Sequence, residues 1–417
     1  MSAPGDSAPG FVGAPRLWLK GRVVPLDGGG VVLDGERIAA VAGVPGLNGS
    51  LSAQATAGPA HEYPTGTLLP GLIDAHVHLC LAHGEDLGPV PDEELVAACA
   101  EIGRTAAIAM LAAGVTSARD LGCRACSAQR VRDGLSADSR PSLVVAGRPI
   151  TVAGGHFASF GLAMRGSADG RRAVDELVDE DVDLIKVMLT GGTLTPGTAL
   201  GLAQLDLEEL KAVTDRSHQL ARRVAAHAHG TAGIEIAVAA GVDTIEHCGF
   251  LDLDGRPGPI DERLVEQMAE RGQVVVIAAP MPSGMVDTDA DTARSAGALD
   301  PARVASLQLA WHNAASLRRA GVRVALGSDS FFGQFSDYRD LIYRAEAIVK
   351  LGGWAPCDVL GLLTEGGAAA LGRAKEIGRL GPGAMADLVV VDGDPSEDIT
   401  VLRRVLAVYR SGRLVSK

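Results

Sequence analysis

The sequence predicts an α/β chain: a (β/α)8 TIM-like barrel with a small β-sandwich domain formed by both termini. Three observations point there. Eight short runs rich in Val, Leu, Ile and Ala alternate with helical stretches through the middle of the chain. Both ends read instead as strands and turns, with no helical period of useful length. Ionisable side chains collect at the C-terminal ends of the central runs, where a closed barrel carries its functional groups.

The bulk numbers allow this. At 417 residues the chain exceeds one typical domain but suits one large barrel with an attachment. Hydrophobic residues make up 47% and aromatics only 3%, so the core is built from aliphatic side chains. The 53 glycines and 21 prolines supply the turns of an eight-fold alternation. A net charge of −13 argues against nucleic acid and anionic membranes as partners, since both demand basic patches. A small-molecule substrate is expected, and no apolar run is read as membrane-spanning. Cys80, Cys99, Cys123, Cys126, Cys248 and Cys357 are scattered, which predicts reduced thiols and a cytoplasmic location. Cys123-Arg-Ala-Cys126 has zinc-ligand spacing but no second pair, so it reads as two small loop or helix residues.

Residues 1–15 are rich in Ala, Pro, Gly and Ser and read as a disordered lead-in, not a signal peptide. Residues 16–69 and 379–417 pair into the small domain, and residues 70–378 form the inserted barrel. The barrel strand candidates are Leu72–Leu79, Val115–Asp120, Leu143–Arg148, Val182–Met188, Val224–His229, Val242–His247, Val274–Ala278 and Val322–Ser328. A helix over Leu207–Arg222 opens with Asp206 as N-cap and Glu209 three residues on, a capping-box pattern. Asp300-Pro301 opens another, and 261–271 and 339–350 are amphipathic. An open doubly wound sheet needs a Gly-rich phosphate turn after an early strand, and none stands out.

The stretch Leu72-Ile-Asp-Ala-His-Val-His-Leu79 follows Pro70-Gly71. Strict alternation puts Asp74, His76 and His78 on one face and Ala75, Val77 and Leu79 on the other. Two imidazoles two residues apart at a strand end can reach one cation side by side. The plainer alternative is two histidines satisfied by core partners. Further along, Lys186 sits in the fourth strand, His227 and His229 end the fifth, Glu246-His247 ends the sixth, and Asp329 follows the eighth. Charges are costly inside strands unless paired. Lys186, amid Leu, Ile, Val and Met, has two readings: an ammonium paired with a carboxylate such as Asp329, or a carbamate bridging two metals. Four histidines on the same rim favour the carbamate. Arg119-Asp120 reads as a structural ion pair.

His-x-His after Pro-Gly-Leu-Ile-Asp, Lys186, His227, His247 and Asp329 together resemble the amidohydrolase superfamily. The tail Gly378-Arg-Leu-Gly-Pro-Gly-Ala-Met-Ala-Asp-Leu-Val-Val-Val-Asp-Gly-Asp-Pro395 resembles the strand that closes its small β domain. Ala113-Gly-Val-Thr-Ser-Ala-Arg-Asp-Leu-Gly122, Gly154-Gly-His156, Ile185-Lys-Val-Met-Leu-Thr-Gly-Gly192 and Val224-Ala-Ala-His-Ala-His-Gly230 are similar to the imidazolonepropionase-like, prolidase-like branch. Members of that branch hydrolyse Xaa-Pro dipeptides, N-acyl amino acids and other amides.

The resemblance implies a hydrolase with two divalent ions, zinc being the expected ion. His76 and His78 would hold one with Asp329, His227 and His247 the other, and carbamylated Lys186 would bridge them. Asp329 would act as general base, then general acid, toward the leaving nitrogen. His156 would contact the substrate carbonyl or oxyanion and His229 a substrate carboxylate, with packing roles as the alternative for both. The superfamily also leaves a homo-oligomer open. Rival readings on the same residues are a deaminase, a cyclic-amide hydrolase or cyclase of a biosynthetic pathway, and a non-catalytic binding module. Departures from relatives fall near the substrate: Cys248 where Gly is usual, Thr364-Glu-Gly-Gly-Ala, and an aromatic cluster of Phe331, Phe332, Phe335 and Tyr338.

Overall fold

A computed structural model describes residues 10–44, 59–81, 93–279, 301–331 and 339–416. The barrel strands are β1 (Leu72–Val77), β2 (Val115–Asp120), β3 (Ser142–Val145), β4 (Leu184–Met188), β5 (Arg223–Gly230), β6 (Thr244–Leu251), β7 (Val274–Ile277) and β8 (Arg323–Leu326). All neighbouring pairs are parallel: β1–β2–β3 in one run, and β4 through β8 in another that also takes in two short strands before β4. Hydrogen bonds close the ring. The Asp183 N–H donates to Val145 O at 2.8 Å, joining β3 to β4. Past β8, Asp329 N–H donates to His76 O at 2.7 Å and His78 N–H to Ser330 O at 3.0 Å, joining the extension of β8 to β1.

The helices follow the local signals. Asp206 Oδ1 accepts from Glu209 N–H at 2.8 Å, and Glu209 Oε2 accepts from Asp206 N–H at 3.1 Å, opening helix Leu207–Gln219. That helix stops three residues short of Arg222 because Ala221 takes a left-handed φ of 54° to turn the chain into β5. Asp261 caps helix Glu262–Arg271 through Leu264 N–H. Pro301 starts helix Pro301–Arg319, and Asp300 lies outside the described residues. Helix Glu93–Ala112 corrects one expectation: it is long and apolar enough to cross a membrane, yet Cys99, Ala106, Met110 and Leu111 pack into the barrel's main core.

Two sheets form the small domain. One orders Arg37–Ala42, Gly30–Asp34, Phe11–Gly13 and Ala60–Glu62; the other orders Arg413–Ser416, Val405–Arg410, Leu388–Asp392, Gly66–Pro70, Arg16–Leu19 and Arg22–Pro25. Residues 11–13 are therefore sheet, not lead-in: Phe11 pairs with Val32 and Ala60, so its short apolar run is buried between two strands. Leu388-Val-Val-Val shows no polar alternation because both faces are covered. Leu388 and Val390 pack in the sandwich with Leu17 and Tyr409, while Val389 and Val391 pack against the barrel core. Polar clamps add to the docking. Glu346 accepts from Arg403 at 2.5 and 2.7 Å, and the Trp18 indole donates to Glu365 at 3.1 Å.

Candidate metal centre

β1 does not alternate as the sequence implies. Its register against β2 slips between Asp74 and Val77. Ile73 and Ala75 join an inner cluster with Val274, Val276 and Ala325, whereas Val77 and Leu79 join the outer core. Asp74 sits at the slip, and its Oδ1 accepts from His76 N–H at 3.2 Å and Ser328 N–H at 2.9 Å. Burial pushes its carboxyl up to about 6. The carboxylate thus ties β1 to the end of β8 instead of pointing with the imidazoles.

His76 Nε2 and His78 Nε2 lie 3.3 and 3.5 Å from Asp329 Oδ1. On the far side of the rim, His247 Nε2 lies 2.9 Å from His227 Nδ1, and His229 stacks on His247 with ring centroids 4.4 Å apart. Two ligand triads result, His76–His78–Asp329 and His227–His229–His247, each with its donor atoms within 4.8 Å of one another. His229 thus joins the second group, which the sequence reading confined to His227 and His247.

Backbone geometry aims two of these side chains. On β6, Thr244 and Glu246 face the barrel interior, so simple alternation would send His247 outward. His247 and Cys248 instead take left-handed φ values of 68° and 50°, which turns the imidazole back onto the rim. Asp329 has φ 51° for the same purpose after β8. Each costs on the order of 1 kcal/mol in a non-glycine residue, and such strain collects where a side chain has a task.

The ring protons are fixed by what each histidine touches. His78 Nδ1 donates to Gly122 O at 3.0 Å, His247 Nδ1 to Ala278 O at 2.8 Å, and His227 Nε2 to Gly191 O at 3.1 Å. A carbonyl can only accept, so in each ring that nitrogen carries the proton. His76 Nδ1 likewise meets the Glu246 carboxylate at 2.9 Å. Burial holds His76 down to about 4, His229 to about 4, and His227 and His247 well below the usual imidazole range. Burial thus favours the neutral form of His76, His227 and His247. With the first nitrogen of His76, His78, His227 and His247 engaged, the second nitrogen of each is left to face its neighbours. Burial would raise the Asp329 carboxyl, but His76, His78 and His247 more than offset it and hold it far below the carboxylate range. Converging lone pairs and one carboxylate are the donor set of a divalent cation, so the residues fit the implied metals.

Lys186 is fully buried on β4, opens onto the same cavity, and its Nζ has no hydrogen-bond partner. Burial lowers its amine to about 8, opposed in part by Glu246. It makes no ion pair with Asp329, so the ammonium reading finds no support in the contacts.

The Arg119–Asp120 pair does not form. Arg119 Nη2 reaches Glu246 Oε1 at 2.8 Å and Nε donates to Ala75 O at 2.7 Å. Asp120 accepts from the Leu79 and Gly122 backbone N–H groups at 2.7 and 3.1 Å. Glu246 was legible only as a charge in an apolar strand; its partners come from β1 and β2.

His156 follows the third strand. Its Nδ1 lies 2.9 Å from Thr195 Oγ1, its N–H donates to Gln204 at 2.8 Å, and burial lowers its imidazole to about 3. Gly192 makes room for it, since a Cβ there would sit 2.2 Å from His156 Nε2. Phe331 stacks on His78 at 4.7 Å; Phe332, Phe335 and Tyr338 lie outside the described residues. Together these groups line a cavity of about 530 Å³ whose outer wall carries Leu194, Leu200, Leu251 and Leu307. Cys123 and Cys126 are free thiols apart from this site.

The sequence profile of the amidohydrolase family matches residues 67–415. The chain belongs to the amidohydrolase family. An ochratoxinase of Aspergillus niger is 27% identical over 389 residues, covering 85% of this chain and 76% of the relative. The crystal structure of A. niger ochratoxinase shares the fold, with a TM-score of 0.78 at 24% identity over 97% of this chain and 94% of that one. An imidazolonepropionase of Anaeromyxobacter sp. (strain K) is 27% identical over 425 residues, 94% of this chain and 91% of the relative. A prolidase complexed with N-methylphosphonate-L-proline superposes with a TM-score of 0.74 at 26% identity, covering 97% of this amidohydrolase and 98% of that chain. This amidohydrolase is therefore a hydrolase of a family whose named relatives act on C–N bonds.

Proposed function

We propose that this amidohydrolase cleaves an amide C–N bond, in an N-acyl amino acid or Xaa-Pro-like dipeptide, with two divalent ions, zinc first. The observation that carries the reading is the set of four histidines whose outer nitrogens are all tied to acceptors, which leaves the second nitrogens of His76 and His78 beside Asp329 and those of His227 and His247 beside each other. When bound, the ions would lower the pKa of a water and polarise the scissile carbonyl. His76, His78 and Asp329 would hold one ion, and His227 and His247 the other. Lys186 would add its amine to carbon dioxide, lose a proton and become an anionic oxygen donor to both. That conversion removes an unpartnered cation from a buried cationic site.

Asp329 is ionised and faces His76 and His78, so it can take a proton from the attacking water and return it to the leaving nitrogen. His156 is neutral, and Thr195 occupies its Nδ1, which leaves Nε2 for the substrate carbonyl. His229 stands beside His247, as a substrate contact or as a third donor to the second ion. The free state of all six cysteines supports a reducing, cytoplasmic setting.

The test is metal content of protein purified with bicarbonate and without chelator, followed by a screen of N-acyl amino acids and Xaa-Pro dipeptides. About two equivalents per chain, falling in Lys186→Ala, is expected. One equivalent that is indifferent to Lys186→Ala overturns the bridged pair. A second reading, cyclic-amide hydrolysis, draws on the full-length likeness to imidazolonepropionase; ring opening without a released amine would identify it.

A further inference from the structure

The metal rim lies at the C-terminal ends of the strands. At their N-terminal ends lies a second cavity, of about 810 Å³. Arg223 and Arg323 stand at its wall at the starts of β5 and β8, and Arg271 in the last turn of helix Glu262–Arg271. Arg373 and Lys375 come from the segment after the last barrel helix. Two carboxylates, Asp243 and Glu376, face these five cations. On a chain of net charge −13 that is a local reversal of sign.

Part of this charge serves the fold. Arg271 Nη1 donates to Val238 O at 2.7 Å, and Arg323 Nη2 to Gly272 O at 2.6 Å, satisfying carbonyls where two helices end. Arg223 reaches Asp243 at 3.4 Å, and Arg373 bonds Glu376 at 3.2 Å and Ser142 at 2.8 Å. A guanidinium has five N–H groups, so even the three contacts of Arg373 leave two unspent, and the other arginines keep more. The Nε of Arg223 has no acceptor among the described residues, and the exposed Lys375 ammonium has no partner among them either. Capping helix ends needs single N–H groups; it does not need five cations around an open cavity. Gly372 also keeps the wall clear, because a Cβ there would fall 2.8 Å from Arg223 Cδ.

We propose that this crevice binds a small multivalent oxyanion, one bearing two or more phosphate or carboxylate groups. Guanidinium forks match both groups in paired hydrogen bonds, and the ammonium of Lys375 adds a point charge. An occupant would join the starts of β5, β6 and β8, whose other ends lead to His227, His247 and Asp329.

The test is calorimetric titration of the full-length, metal-loaded protein with inorganic pyrophosphate and, separately, with citrate, at constant ionic strength. One saturable site is expected, and the tighter probe tells phosphate from carboxylate. Both probes also chelate divalent ions, so the same titrations are run on Lys375→Glu and Arg373→Gln, which leave the metal rim untouched. The affinity is expected to fall at least ~10-fold in each. Lys375 is exposed and unpartnered, so its variant folds even if Arg373→Gln does not. Equal binding by wild type and Lys375→Glu, or no saturable site in wild type, overturns the proposal.

Discussion

The carboxylate of Glu246 holds the imidazole of His76, with Oε2 2.9 Å from Nδ1, both fully buried. Its other oxygen meets Arg119 Nη2 at 2.8 Å and accepts from the Thr244 hydroxyl at 2.5 Å. Burial works against the Glu246 charge, but Arg119 and His76 hold its carboxyl far below the usual range. A full negative charge behind His76 makes its outward nitrogen a stronger donor.

Glu246→Gln should therefore lower metal affinity or turnover by ~10- to 100-fold while changing no atom on the rim. It also leaves Arg119 buried without a counter-charge, which costs about 3–5 kcal/mol of stability. Urea unfolding and metal titration on the same variant separate the two effects. Unchanged metal affinity would show that the pair serves packing alone.

Lys186→Met is expected to abolish activity and yet raise the melting temperature of chelator-treated protein. The substitution replaces a buried, unpartnered ammonium with an apolar chain of similar shape. The gain should be on the order of 1 kcal/mol or more. A metal-free variant less stable than wild type would mean that Lys186 has a compensating partner in solution.

Gly192→Ala should act through His156. The added methyl would lie 2.2 Å from Nε2, so the ring must leave its place. A displacement near 1 Å of a substrate-contacting group costs about 100-fold in turnover. The circular dichroism spectrum and the metal content should stay as in wild type. Full activity in this variant would remove His156 from the reaction.

Tyr409 gives the pH prediction. Its hydroxyl lies 2.7 Å from Tyr63 OH and 2.8 Å from His61 Nδ1 inside the small domain, and burial pushes its phenol well up. The folded state therefore keeps the proton where the unfolded chain loses it. The associated stability is complete below about pH 10 and is lost as pH rises beyond it. Tyr409→Phe should be ~1 kcal/mol less stable at pH 8 and should show a flatter decline above pH 10. Equal slopes in alkaline urea titrations would assign the decline to other groups.

Some of the site was legible because its signals are local. His76-x-His78 in a strand, Lys186 amid aliphatic residues, and His227 at a strand end each stand out from their immediate neighbours. The capping box at Asp206 and Glu209 is equally local, and it forms as read. The reading failed where a local rule meets a distant demand. Alternation placed Asp74 with the imidazoles, but Ser328, 254 positions away, takes its oxygen. Arg119 looked paired with its neighbour Asp120, but its carboxylate is Glu246, 127 positions on.

By itself the sequence determined the periods: eight aliphatic runs separated by helices, and charged residues at the ends of those runs. Burying such charges is costly, so their presence already announced a polar site at one end of a barrel. Only the tertiary structure decided how that cost is offset. It chose Glu246 for His76, carbonyls for His78, His227 and His247, and left-handed turns that aim His247 and Asp329. The reason is physical: strand period follows from residues one or two apart, whereas the partner of a buried charge is whatever the closed barrel brings within 3 Å.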